Sequence, residues 1–167
     1  MIRTATTLTL LLTMTCAAAV AGQARPDFSG TWVEDESLRK TTYQAEPGAK
    51  AVALPSRPVT IKQTADSIDI EHAPPAPGWN ALRHVYNLAG KQSVNHNGAN
   101  TQTTTSRWDG TRLVTEGTSF SETSQGEFTW KYQEMRWLDG KGRMIIETRT
   151  TDQSGKTHVV TMTYAKK

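Results

Sequence analysis

Aromatic side chains recur at every second position in Phe128, Trp130 and Tyr132, and two charged residues, Glu134 and Arg136, follow at the same spacing. On a β-strand, side chains two apart share a face. The aromatic trio would then form a wall against a small ligand, or pack into an ordinary core. Met135 and Trp137 carry apolar groups on the opposite parity, which implies a β-bulge near Gln133-Glu134. Glu134 and Arg136 share a face with each other. They would form an internal ion pair, hold a ligand carboxylate, or make a solvent-facing pair worth roughly 0–1 kcal/mol.

The histidines, His72, His84, His96 and His158, stand at no metal-ligand spacing, and no cysteine outside the first 21 residues joins them, so no metal site is expected. His84 alternates with Leu82 and Tyr86, which puts its imidazole on a candidate interior face, either as a ligand contact or as a satisfied, partly exposed ring. Trp79 adjoins Pro74-Pro75-Ala76-Pro77-Gly78, where it would line a mouth or pack the loop onto a wall. There is no Gly-x-Ser-x-Gly elbow, phosphate-binding glycine loop or zinc-protease motif. Neighbouring carboxylates such as Asp35 and Glu36 are not set across a cleft. Catalytic residues and cofactors are therefore not expected. The candidate ligand contacts are Trp79, His84, Tyr86, Trp130, Tyr132, Glu134 and Arg136.

The elements that must position these residues alternate with period two, and the i, i+3, i+4, i+7 pattern of helices is absent. Gly30 to Glu36 is the first expected strand. Residues 37–57 read as a long loop with a helical turn near Ser37 to Tyr43; long loops of this kind are often functional. Val59 and Ile61, then Ile68 and Ile70, alternate on either side of Ala65-Asp66, as in a hairpin. Further hairpins are expected around Ala89-Gly90, Asp109-Gly110 and Asp139-Gly140-Lys141-Gly142, and a last strand after Asp152-Gln153-Ser154-Gly155. The resulting 8–10 strands, about ten by direct count, would form an all-β antiparallel up-and-down meander, closed into a barrel or flattened clam without exposed edges. Thr101 to Ser106 has no apolar residue on either face, which argues against a lipid-facing outer-membrane barrel.

The first 21 residues read as a cleaved export signal, with Arg3 before a broken apolar stretch and Ala19-Val20-Ala21 at the cleavage position; Ala24 is an alternative end. Cys16, the single cysteine, lies inside that leader, so the domain expected over residues 26–167 would hold no disulfide. That domain would be periplasmic or extracellular, with no transmembrane segment. The chain carries 19 basic and 16 acidic residues. Their interspersion offers no basic stripe, so nucleic acid is not an expected partner. The oligomeric state is left open.

Phe28-Ser29-Gly30-Thr31-Trp32 resembles the Gly-x-Trp first strand of lipocalins and of intracellular fatty-acid-binding proteins. Trp32 would plug one end of such a barrel. Val160 to Lys167 is similar to the last strand of fatty-acid-binding proteins. There an Arg-x-Tyr pair grips a carboxylate, but Tyr164 matches the tyrosine while Met162 stands in place of the arginine. The mature chain more closely resembles small, largely uncharacterised exported bacterial proteins that begin Asp-Phe-Ser-Gly-Thr-Trp. Tyr86-Asn87-Leu88-Ala89-Gly90-Lys91 and Ser106-Arg107-Trp108-Asp109-Gly110 extend that likeness. The resemblance implies a lipocalin-like barrel. The expected function is non-catalytic binding of a small, partly apolar molecule. The alternatives are an enzyme using Glu134, Arg136 or His84 as acid–base groups, and an envelope-associated module that meets a polysaccharide or protein through outer aromatic residues.

Overall fold

The computed structural model describes residues 24–42, 57–124 and 126–167. The expected leader, and most of the expected long loop, lie outside the described residues. The described chain forms β1 (Gly30–Glu34), a 3-10 turn (Glu36–Leu38), β2 (Lys40–Thr41), β3 (Val59–Gln63), β4 (Ser67–His72) and β5 (Leu82–Asn87). It continues through β6 (Gln92–Asn97), β7 (Asn100–Asp109), β8 (Arg112–Thr123), β9 (Gly126–Leu138), β10 (Met144–Thr151) and β11 (Thr157–Lys166). All pairings are antiparallel, and the sheet runs β5-β4-β3-β1-β11-β10-β9-β8-β7-β6, with β2 added beside β11. Because β1 pairs with both β3 and β11, the first and last strands meet and the sheet wraps into a nearly closed barrel.

The Asp-Phe-Ser-Gly-Thr-Trp segment builds one packed end. The Phe28 backbone N–H donates to Gln63 Oε1 at 3.0 Å, Gln63 Nε2 donates to the Pro26 carbonyl at 3.0 Å, and Trp32 Nε1 donates to the Phe28 carbonyl at 2.8 Å. The Phe28 ring stacks on Trp108 at 6.1 Å. Trp32 is only 1% exposed and lies among Val59, Ile61, Ile70, Met144 and Tyr164. Gly30 has φ +130°, and an added Cβ would come within 2.6 Å of Lys166 Cε. The lysine end can swing aside, so it is the backbone conformation that calls for glycine there.

The interior has two kinds of wall. Val59, Ile61, Ile68 and Ile70 make an apolar face on β3 and β4. Opposite them the buried residues of β6 to β8 include Ser93, Asn95, Thr104, Ser106, Thr115, Ser119 and Ser121. Among these small polar side chains Ser106 Oγ bonds to Thr115 Oγ1 at 2.8 Å, and Ser93 and Asn95 bond to backbone.

Two expectations about the strands are corrected. The Ala89-Gly90 turn does connect two strands, but β5 and β6 share no backbone ladder. Instead Asn95 bridges the seam, its Oδ1 accepting from the Val85 N–H at 2.7 Å and its Nδ2 donating to the Val85 carbonyl at 3.2 Å. Ser93 Oγ accepts from the Asn87 N–H at 2.8 Å. Two side chains thus satisfy donors that a neighbouring strand would normally take. The second correction concerns β9, which has no bulge at Gln133-Glu134. Its register runs unbroken from Gly126 to Arg136 against β8 and from Lys131 to Leu138 against β10. Met135 and Trp137 simply face outward, and Trp137 is covered by the Arg112 guanidinium at 5.1 Å from its ring centre, a favourable cation–π arrangement.

Two stability predictions follow from this packing. An added Cβ at Gly117 would lie 1.9 Å from the Thr103 carbonyl oxygen. Gly117→Ala is expected to destabilise the barrel by about 1–3 kcal/mol or more, read from the urea midpoint. Asn95→Ala is expected to strip the Val85 amide of its hydrogen-exchange protection, while amides on β8 and β9 keep theirs; unchanged Val85 protection would refute the side-chain seam.

Candidate functional site

The side chains on the inner face of β9 run in depth order from the rim inward: Phe128, Trp130, Tyr132, Glu134, Arg136. Phe128 is 41% exposed at the rim, so it belongs neither to the core nor to an enclosed aromatic wall. Trp130 is half-buried. It lines a cleft of about 740 Å³ together with Trp79, Leu82, His84, Asn97 and Gln102. Trp79 is 69% exposed, so it stands at the mouth rather than packing its loop onto the wall. This cleft is the concave site of the barrel end opposite the Phe28–Trp32 plug. A second depression, of about 670 Å³, lies on the outer face of β7 to β11. There Glu116 pairs with Arg107 and accepts from Gln133, and Arg149 pairs with Glu147.

Below the cleft the polar side chains connect. The Tyr86 hydroxyl donates to Gln102 Oε1 at 3.0 Å. The Tyr132 hydroxyl donates to Glu134 Oε2 at 2.7 Å, and Arg136 Nη2 donates to Glu134 Oε1 at 2.6 Å. The ion pair is interior, not solvent-facing: Arg136 is only 3% exposed. Its Nε and Nη1 have no hydrogen-bond partner, and neither does the buried Thr104 Oγ1. His84 joins the cleft to this cluster. Its ring stacks on Tyr86 at 5.9 Å and meets His72 edge-on at 6.2 Å, and its Nε2 lies 2.7 Å from Asn97 Nδ2.

Burial sets the protonation of the cluster. It pushes the His72 imidazole down to about 4, helped by His84 and Arg136, and lowers His84 as well. The Tyr86 and Tyr132 phenols are pushed up by burial first and by the Glu134 charge second. Tyr164 rises to about 12, again mainly through burial. Near neutral pH the histidines and tyrosines are therefore uncharged. The formal charges in the cluster are those of Glu134 and Arg136.

Of the seven residues singled out from sequence, Tyr86, Tyr132, Glu134, Arg136 and His84 meet in the interior, while Trp79 and Trp130 frame its mouth. Sequence reasoning missed His72, Asn97 and Gln102. For His72 the signal existed, since it continues the Ile68, Ile70 alternation. Gln102 lies in a strand polar on both faces, where alternation is silent. Among the described residues no group of three His, Cys, Asp or Glu side chains is placed to hold a metal ion. No helix there is long and apolar enough to cross a membrane. Among the described residues the exposed large apolar side chains, Leu38, Trp79, Val85, Val94 and Phe128, come from separate elements.

The architecture is that of the calycin-like barrels. A superposable solved structure is zebrafish ileal bile acid-binding protein complexed with cholic acid. It is 18% identical, with a TM-score of 0.54, covering 84% of this chain and 98% of that one. By sequence, 80 residues, 48% of the chain, are 36% identical to ribonuclease M5 of Lactiplantibacillus plantarum. The match spans 40% of that enzyme's length. No protein-family model matches the chain.

A pH prediction follows from His72. An imidazole held neutral in the fold contributes stability that is fully present above its unfolded value of 6.5 and is lost as pH falls towards about 4. The change amounts to at most about 3 kcal/mol. The lowered carboxyls of Asp27, Asp69, Asp139 and Asp152 act below their ordinary 3.8, a separate window. Urea unfolding across pH 4 to 6.5 is expected to show a shallower slope for His72→Gln than for the native protein.

Proposed function

We propose that the protein is an exported binder of a small, partly apolar molecule, held in the mouth cleft with its polar end towards the Tyr86–Tyr132–Glu134–Arg136 cluster. The observation that carries this reading is the division of the barrel interior. One end is filled by Phe28, Trp32 and the β3–β4 aliphatics, whereas the other opens into a cleft of about 740 Å³ bounded by two tryptophans and several amides. Concave, partly aromatic sites with a few convergent polar groups are the usual form of small-molecule sites. The zebrafish protein of the same fold carries cholic acid, which supports an amphipathic occupant. The leader-like first 21 residues of this chain support export.

A reaction-chamber reading has one observation in its favour: the charges of Glu134 and Arg136 act on the His84 imidazole. The binding reading is preferred because the Glu134 oxygens are taken up by Tyr132 and Arg136, so Glu134 is not a poised base. A nuclease reading finds little support in the outer surface. Arg39, Arg83, Arg107, Arg143 and Arg149 there each pair with a carboxylate rather than forming a phosphate-tracking groove.

Titration with the neutral, solvatochromic dye Nile red tests the proposal. A saturable blue shift is expected, weakened about tenfold by Trp79→Ala or Trp130→Ala, equivalent to ~1.4 kcal/mol of lost contact. Absence of saturable binding, or an affinity indifferent to both substitutions, would sink it.

A further inference from the structure

Arg136 is the cation that a ligand carboxylate would seek, yet its charge is already matched. Glu134 Oε1 takes a hydrogen bond from Nη2 at 2.6 Å. Nη2 places one N–H on each two-pronged edge of the guanidinium, so this contact occupies one edge and already supplies the counter-charge that a second carboxylate would bring. Glu134 is itself held in place, since its other oxygen accepts from Tyr132 at 2.7 Å. The surrounding imidazoles and phenols bring no further positive charge. What remains on offer is neutral-acceptor chemistry: Nε and Nη1 of Arg136, both buried and without partners.

We infer that Glu134 is a built-in counter-ion that sets the specificity of the cavity for uncharged ligands bearing a carbonyl- or hydroxyl-type acceptor, and against carboxylates. Such an acceptor can take a single hydrogen bond from Nε or Nη1 and leaves the interior electrically neutral. A carboxylate would place a second negative charge beside Glu134 with one guanidinium between them, a like-charge arrangement that disfavours the ionised pair. Discrimination does not require the ligand to touch Arg136. A head group stopping at Tyr86 and His84 still meets the field of Glu134, which acts on both residues. The inference rests on the small-molecule reading above.

The test compares 2-naphthamide with 2-naphthoate, which share shape and differ in charge at about pH 7.5. Competition against Nile red would be measured with the full chain. The native protein is expected to bind the amide at least about tenfold more tightly than the carboxylate. Glu134→Gln, checked for folding by its thermal melt, is expected to narrow or invert that ratio by about tenfold or more. Equal affinities in the native protein overturn the inference without recourse to any variant. An unchanged ratio in a folded Glu134→Gln protein overturns it too. If Nile red and both naphthalenes fail to bind, the small-molecule reading falls and takes the inference with it. Nile red binding with no discrimination between the pair removes the charge rule alone.

Discussion

A guanidinium inside a β-barrel constrains everything around it. Removing an ion of that size from water costs several kcal/mol even after relaxation, and only a close, well-bonded counter-ion offsets the penalty. Arg136 meets the condition through Glu134, two residues away on the same strand face, and Glu134 is steadied by Tyr132. All three must point inward together. That is possible only because β9 keeps its register against both neighbours without interruption. The same pair then governs the rest of the interior: Arg136 helps keep His72 and His84 neutral, and Glu134 helps keep Tyr86 and Tyr132 protonated.

The walls are shared unevenly. Large aliphatic and aromatic residues from β1, β3 and β4 fill one end, while small hydroxyl and amide side chains line β6 to β8. Bulky groups on one wall and short ones on the other allow a closed sheet to be solid at one end and hollow at the other. The β5–β6 seam belongs to the same design. Asn95 and Ser93 replace a backbone ladder with side-chain hydrogen bonds, so the barrel closes without the strands approaching to ladder distance. The mouth cleft lies beside this seam, with His84 of β5 and Asn97 of β6 facing each other across it.

Much of the fold was legible in the alternation of Val59, Ile61, Ile68 and Ile70, in the glycine-bearing turns and in the Asp-Phe-Ser-Gly-Thr-Trp start. The site was legible in part. Tyr132, Glu134 and Arg136 were visible as a period-two series, but the weight given to Met135 and Trp137 implied a bulge that does not exist. The assumption behind it was that apolar side chains must face the core. Trp137 escapes that rule because Arg112 covers its outer surface, and partial exposure of a large ring is ordinary. Gln102 and Asn95 were invisible for the opposite reason: strands polar on both faces carry no record of which face is inside.

The sequence by itself determined the turns and the antiparallel meander, because these depend on residues close together in the chain. Only the tertiary structure decided which parity of the polar strands faces inward, how β5 and β6 close, and that Glu134 and Arg136 are an interior pair. Those outcomes depend on closure. Burial of a side chain in a barrel is set by the register of strands tens of residues apart, and an ion pair two residues apart looks the same in sequence whether it faces water or the core.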